Sequence, residues 1–287
     1  MATLFRFWGL HSLNMKLTPL DSKAIAQRRQ ILHIMEKSQR GHFGAALSVM
    51  EIVRVLYDKI LRYDSRKPLW PDRDRFIFSK GHGCLALYVV LAEKGFFPVA
   101  ELDRVCHFGA MLGGHPESRK TPGVEASTGS LGHGLPIGLG MALAARIDQQ
   151  SHRVFVLIGD GESNEGSVWE AALCAGKHHL ENLVVLLDYN RMQSYGTTKE
   201  VQDLEPLADK WRSFNFGVEE VDGHDPAQLE SILQRVPFAP GKPSVLICHT
   251  IKGRGFACAE GNPDWHHKAK ISPEEVERLR KELENTR

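Results

Sequence analysis

This sequence of 287 residues contains few cysteines, no long apolar run and no excess of either charge. Its five cysteines are scattered and form no CxxC pair, which argues against a disulfide framework or a zinc site and favours reduced thiols in the cytoplasm. The longest apolar runs, such as Val154-Phe-Val-Leu-Ile158, have the length of one strand, whereas a membrane-spanning helix needs about 20 residues. We therefore expect a cytoplasmic protein with no membrane segment.

The charges nearly cancel: Lys and Arg total 36, Asp and Glu total 35, and the formal net charge is +1. No basic stripe interleaves with aromatic residues, so nucleic acid is not an expected partner. Residues 1–14 are apolar and weakly basic, and no small-residue cleavage site follows them. We interpret them as an N-terminal tail or extension ahead of a natural start at Met15, and residues 15–287 as a single domain.

Strand-length apolar segments alternate with segments of helical periodicity along most of the chain. The predicted strands lie at 75–79, 153–158, 183–188, 216–221 and 243–250. The predicted helices lie at 21–38, 45–60, 84–94, 133–147 and 164–178, and two more begin near 225 and 272. Such alternation is typical of parallel βαβ units. The expected fold is therefore α/β, a doubly wound and mainly parallel sheet flanked by helices, with ligands beyond the carboxyl ends of the strands.

Two successive strands of this pattern end in oxygen-bearing side chains. The strand at 153–158 runs into Asp160 and Gly161, and the strand at 183–188 runs into Asn190. Because one βαβ unit separates them, Asp160 and Asn190 should share one edge of the sheet. Mg²⁺ prefers oxygen ligands and often joins a carboxylate to phosphate oxygens, which Gly161 and the following helix N-terminus would allow close to the chain. Alone, Gly-Asp-Gly is more simply a strand-to-helix turn; Asn190 favours a magnesium and diphosphate site.

At these residues the sequence resembles a known family. The segment Gly159-Asp-Gly-Glu-Ser-Asn-Glu-Gly166, followed by Asn190, resembles the thiamine diphosphate signature in the N-terminal half of transketolase. Further segments match other transketolase motifs in the right order, at 38–44, 79–83, 114–117, 127–132 and 264–268. Phe43 and His267 depart from the usual pattern and could alter the substrate channel, which suggests a specialised ketol transfer outside the pentose phosphate pathway.

The resemblance implies a ligand set for Mg²⁺ and contacts for thiamine diphosphate. Asp160, Asn190 and the backbone carbonyl of Met192 would hold the metal, and Gly161 would contact the diphosphate. Gly129 and Leu131 would present backbone to the aminopyrimidine side of the cofactor, although Leu131 could equally belong to the core. Lys268 matches a family lysine near the diphosphate, or is a solvated surface charge.

Five further roles follow from the same resemblance. His42, His82, His115 and His266 occupy motif positions that line the channel to the thiazolium, where family histidines bind sugar hydroxyls, contact the cofactor or assist proton transfer. For His82 and His266 we expect contact with the cofactor as well. Glu165 matches a glutamate that meets its counterpart across a dimer axis and serves the cofactor. Its simpler alternative is an acidic residue favoured at a helix N-terminus.

The resemblance ends before a pyrimidine-binding domain and a C-terminal domain, and the first of these supplies the activating glutamate and most substrate-phosphate contacts in transketolases. We therefore expect a partner chain that resembles the C-terminal half, in a heterotetramer with active sites between subunits. The expected substrates are small sugars or sugar phosphates. Two alternatives stay open: a subunit of another two-chain thiamine enzyme, such as the E1 α-subunit of a 2-oxoacid dehydrogenase, and a non-catalytic regulatory subunit that retains the fold.

Overall fold

A computed structural model describes residues 18–266, 268 and 270–285, so the predicted tail and His267 lie outside the described residues. Five parallel strands form one sheet: β1 (Arg75–Phe78), β2 (Val154–Gly159), β3 (Leu183–Tyr189), β4 (Gly217–Asp222) and β5 (Ser244–His249). Their order across the sheet is β1-β2-β3-β5-β4, because the chain crosses to the far edge at β4 and returns between β3 and β4 as β5. The predicted parallel α/β sheet is confirmed, and each strand lies within one or two residues of its predicted position.

The longer helices agree with the predicted ones and cover both faces of the sheet. They are α1 (Ser22–Ser38), α2 (Phe43–Ser48), α3 (Met50–Val55), α4 (Cys84–Glu93), α5 (Gly134–Ile147), α6 (Gly166–Lys177), α7 (Thr198–Val201), α8 (Leu207–Ser213), α9 (Pro226–Leu233) and α10 (Pro273–Asn285). The predicted helix at 45–60 is interrupted at Val49 and ends in a π-helical turn, Leu56–Ile60. The short helices α7 and α8 were not predicted, because neither is long enough to show a helical period.

Alternate residues of each strand point to opposite faces of the sheet, and both faces are buried. On β2, Phe155 and Leu157 join the core formed with α1 to α4, whereas Val154, Val156 and Ile158 join the core under α5, α6 and α8. This two-sided burial explains the continuous apolar runs in the sequence. Within the described residues, no helix has both the length and the apolar character that crossing a membrane requires.

The segment that follows β2 differs from the prediction in a way that matters for the site. The helix predicted at 164–178 begins at Gly166, and Gly161–Asn164 forms a separate 3₁₀ turn. Gly159 pairs with Asp188 of β3, and the amide of Asp160 donates to the carbonyl of Asp188 at 3.1 Å. The 3₁₀ turn, rather than the N-terminus of α6, therefore follows the strand edge directly.

Candidate active site

A cavity of about 250 Å³ lies at the carboxyl edge of the sheet. It is lined by most of the residues predicted for the site, namely His42, His82, His115, Gly129, Leu131, Asp160, Gly161, Asn190, Met192 and His266. Segments far apart in the sequence supply them: the turn before α2, the turn after β1, the long loop before α5, and the ends of β2 and β3. The parallel sheet brings these segments together because its carboxyl ends share one edge.

Asp160 is the buried carboxylate of this cavity. Its Oδ1 accepts from the amide of Gly161 at 2.7 Å, and its Oδ2 accepts from the amide of Arg191. Burial, together with the nearby Asp188 carboxylate, raises the pKa of Asp160 to about 7. A buried carboxylate with so little compensation is the electrostatic environment in which a bound cation is stabilised.

Asn190 and Met192 lie beside Asp160 at the end of β3. The Asn190 amide nitrogen donates to Asp188 at 2.8 Å, which directs its oxygen to the other side, where it accepts from the Met192 amide at 3.1 Å. The Met192 carbonyl accepts from the Lys252 ammonium at 3.3 Å, so this oxygen already faces a positive charge. Carboxylate, amide and carbonyl oxygens suit a hard divalent cation.

Asp188 fixes the position of this edge. Although burial opposes its ionisation, Lys80 and hydrogen bonds from Thr250 and Ser48 hold the pKa of Asp188 below its usual value. The Lys80 ammonium forms an ion pair with it, and both side chains are almost completely buried. Ser48 in α2 donates to the same carboxylate at 2.8 Å. Asp188 therefore ties β1, β3, β5 and α2 together directly beneath the cavity.

The oxygen donors of the cavity fit a magnesium ion and its diphosphate. No cluster of three or more His, Cys, Asp or Glu side chains suited to a metal exists in the described part of the chain. A metal at Asp160 would accordingly need the amide and carbonyl oxygens of Asn190 and Met192, with phosphate oxygens completing the shell. Lys80 and Lys252 supply nearby positive charge for such an anion.

The four predicted histidines meet on the other side of the cavity. The ring centroid of His42 lies 5.4 Å from that of His82, 6.1 Å from that of His115 and 5.8 Å from that of His266. The rings of His82 and His266 are also 5.8 Å apart. His266 and Ser194 share a hydrogen bond of 3.1 Å. Four imidazoles around one space can donate to and accept from a substrate with several hydroxyl groups.

Two of these histidines favour the neutral form. Burial, with the positive charge of Lys80 and the neighbouring imidazoles, holds the pKa of His82 well below its usual value. Burial alone lowers the pKa of His115. A neutral imidazole keeps one donor and one acceptor nitrogen, so both residues can orient a hydroxyl group or exchange a proton near neutral pH.

Residues 21–286 match the family described as transketolase, thiamine diphosphate binding domain. The chain belongs to the transketolase family. It is similar to the 6-deoxy-6-sulfo-D-fructose transketolase subunit of Clostridium sp. (strain MSTE9), with 43% identity across 86% of this chain and 90% of that subunit. It is also similar to an apulose-4-phosphate transketolase subunit of Actinobacillus succinogenes, with 42% identity across 96% of this chain and 100% of that subunit.

Solved transketolases have the same fold. The transketolase from Leishmania mexicana superposes with a TM-score of 0.79 and 29% identity, and the alignment covers 92% of this chain but 44% of that one. A Pichia stipitis transketolase in complex with sedoheptulose 7-phosphate gives a TM-score of 0.81 at 25% identity, with the same coverage. The chain therefore spans less than half the length of these solved transketolases and nearly the whole length of the two similar subunits.

Two predicted site residues lie away from the cavity in this transketolase-family chain. The Lys268 ammonium is 2.7 Å from Glu275 and 4.9 Å from the ring centroid of Trp265, and Lys268 does not line the cavity. Glu165 caps the N-terminus of α6 and is exposed on the isolated chain. Their roles toward the cofactor remain predictions. Phe43 lies in the core against Phe256, with ring centroids 5.0 Å apart, so its departure from the family pattern does not place it in the channel.

Sequence reasoning missed three buried residues of the cavity wall: Lys80, Glu162 and Lys252. Glu162 accepts from Ser79 and from the amides of Gly132 at 3.0 Å and Gly159 at 3.1 Å. It thereby fastens the turn before α5 to the end of β2. Lys252 follows the carboxyl end of β5, so the strand-edge argument used for Asp160 could have identified it. No pattern in the sequence marks Glu162.

Proposed function

We propose that this chain is the diphosphate-binding subunit of a two-chain, magnesium-dependent transketolase that transfers a two-carbon ketol unit between sugars. The single observation that carries the proposal is the cavity itself, where Asp160 and Asn190 face four converging histidines. One side supplies oxygen ligands for a metal, and the other supplies imidazoles for hydroxyl groups. A dehydrogenase-like dinucleotide site would need neither arrangement.

Asp160, Asn190 and the Met192 carbonyl would hold Mg²⁺ and, through it, the diphosphate. Lys80 and Lys252 add positive charge at the same end of the cavity, and burial together with Lys80 lowers the pKa of Lys252 to about 8. A bound anion would favour the charged form of Lys252 and strengthen the interaction. When bound, thiamine diphosphate supplies the nucleophilic carbon and the electron sink that ketol transfer requires.

The imidazoles would bind and orient the sugar. His115, the most exposed of the four, lies at the mouth of the cavity, whereas His82 and His266 lie deeper. A neutral His82 can hold a proton at one nitrogen and accept one at the other, so it can assist proton transfer at a substrate oxygen without a change in net charge. His42, between the other rings, would fix the position of the sugar hydroxyls.

The partner would supply the pyrimidine-binding half of the site. Two relatives of matching length are named as transketolase subunits, which supports a two-chain assembly. The outer face of α5 and α6 exposes Ile137, Ile147 and Leu173, the last two with exposures of 78% and 62%. Glu165 is exposed beside this face. Apolar side chains at such exposure favour burial against another subunit, and a heterotetramer of two such chains with two partners would provide it.

The test is reconstitution of the chain with the subunit encoded by the adjacent gene, in the presence of Mg²⁺ and thiamine diphosphate. We expect ketol transfer from a ketose donor to an aldose, and an Asp160→Ala complex that loses both cofactor affinity and turnover. Asp203→Ala, at an exposed position outside the cavity, is the matched control and should leave both unchanged. Decarboxylation of a 2-oxoacid without ketol transfer would assign the chain to the other thiamine branch, and wild-type activity in Asp160→Ala would refute the proposed site.

A further inference from the structure

A second groove extends from the catalytic cavity at His42 and His115, which line both. It has a volume of about 420 Å³ and runs past Cys106 to Lys120, with Arg40 on its wall. A substrate whose reacting carbonyl lies among the histidines could therefore extend its far end into this groove. Its positive residues would then face whatever group that end carries.

The backbone that carries Arg40 is held rigidly. The Ser38 hydroxyl donates to the Arg40 carbonyl at 2.8 Å and accepts from the Arg40 amide at 3.2 Å. Gly41 follows with a φ of +145°, packed so closely against Met35 and Leu85 that a side chain there would lie 2.8 Å from the Met35 sulfur. A fixed backbone presents the long side chain from a defined point on the groove wall.

Within the described residues, no ion pair or side-chain hydrogen bond occupies the Arg40 guanidinium. Its charge nevertheless reaches across the groove: burial raises the pKa of the Cys106 thiol, and Arg40 acts in the opposite direction. Lys120 differs, because its ammonium lies 3.1 Å from the Glu117 carboxylate and is already paired. Arg40 is therefore the cation of this groove best able to accept a new anion.

We propose that the groove is a subsite for the anionic end of the ketose substrate and that Arg40 binds that end. The inference rests on the proposed ketol transfer and adds the substrate class, a ketose with a phosphate or sulfonate group remote from its carbonyl. A guanidinium matches such a tetrahedral oxyanion because its planar fork donates two parallel hydrogen bonds. The subsite would belong to this chain rather than to the partner, to which the sequence resemblance assigns most phosphate contacts.

The test compares three ketoses that differ only at carbon 6: D-fructose 6-phosphate, 6-deoxy-6-sulfo-D-fructose and D-fructose. In the reconstituted complex, Arg40→Gln should lower kcat/KM about 10- to 100-fold for the anionic ketoses that the wild type accepts, since a charge-assisted hydrogen bond is worth roughly 1.5–3 kcal/mol. The change should lie in KM, and kcat/KM for D-fructose should stay within about 2-fold. Arg40→Lys keeps the charge but loses the fork, so its loss should be smaller.

The outcomes separate this inference from the function on which it rests. Arg66→Gln, at an exposed position remote from the groove, is the control and should behave as wild type with every ketose. Equal losses with all three ketoses would mean that Arg40 supports the fold or the common chemistry, and unchanged kcat/KM with the anionic ketoses would remove the subsite; either result overturns the inference while ketol transfer stands. A wild-type complex that processes none of the ketoses would reject both. A preference between phosphate and sulfonate identifies which anion the groove selects.

Discussion

Replacement of Glu51 by Gln should destabilise the whole chain, because Glu51 joins two buried cationic or polar partners. Its carboxylate lies 2.6 Å from an Arg28 nitrogen and 2.9 Å from Nδ1 of His224, and all three side chains are almost completely buried. The amide of Ile251 donates to Nε2 of His224 at 2.9 Å, so Nδ1 carries the proton and donates to Glu51. Arg28 also donates to the Arg254 carbonyl at 2.8 Å.

The expected loss is about 3–5 kcal/mol, because removing one partner of a buried ion pair leaves an uncompensated charge. Domains of this kind are stable by only about 5–15 kcal/mol, so the urea midpoint should fall by a large fraction with little change in slope. Glu101→Gln breaks a half-exposed pair with Arg104, 3.6 Å apart, and should cost less than about 1 kcal/mol. A loss for Glu51→Gln as small as that control would refute the account of this network.

The pH dependence provides a second readout of Glu51. Burial alone would raise the pKa of Glu51, but Arg28 and His224 outweigh it and hold the pKa well below the ordinary 4.5. A depressed carboxyl pKa contributes stability above the unfolded value and loses it as the pH falls. The stability difference between wild type and Glu51→Gln should therefore be constant above about pH 5 and shrink in more acidic solution. A difference that is independent of pH down to pH 3 would contradict the assignment.

Three further predictions concern the site and its support. Because burial and Asp188 raise the pKa of Asp160 to about 7, protons should compete with Mg²⁺, and calorimetry should show cofactor affinity rising from pH 6 to 8 in wild type but not in Asp160→Asn. His115→Ala should raise KM for the ketose about 10-fold with unchanged cofactor affinity, and an equal loss of cofactor binding would place His115 elsewhere. In α5, Gly138→Ala would overlap Val156 and should cost about 1–3 kcal/mol, whereas Gly140→Ala meets open space and should stabilise by up to about 1 kcal/mol; equal thermal shifts would refute the packing argument.

Residues at strand ends were the part of the site that could be predicted from sequence. Asp160 and Asn190 follow apolar runs whose length and spacing specify a βαβ unit, so the parallel sheet alone brings them to one edge. The four histidines were placed by motif resemblance, and the structure brings their rings within about the same space. The resemblance predicted Lys268 near the diphosphate, but the structure places it beside Glu275.

What could not be predicted depends on packing between distant segments. Glu162 is one acidic residue in a turn of polar residues, and nothing local shows that it accepts from Gly132 and Gly159 in the interior. The Arg28–Glu51–His224 contact joins positions separated by up to 173 residues, as the Glu51–His224 pair is. Periodicity describes one segment at a time, so side-chain bonds of this range become visible only in three dimensions.

The hub at Asp188 has a consequence for when the cofactor can bind. Its bond to Ser48 spans 140 residues and its bond to Lys80 spans 108, so the oxygen ligands reach their positions only after most of the chain has folded. Partly folded chains would offer thiamine diphosphate no preformed pocket, and loading would follow folding rather than guide it. Vitamin supply would then act on the finished protein by mass action, raising its resistance to unfolding and to proteolysis in proportion to how far the free cofactor concentration exceeds its dissociation constant.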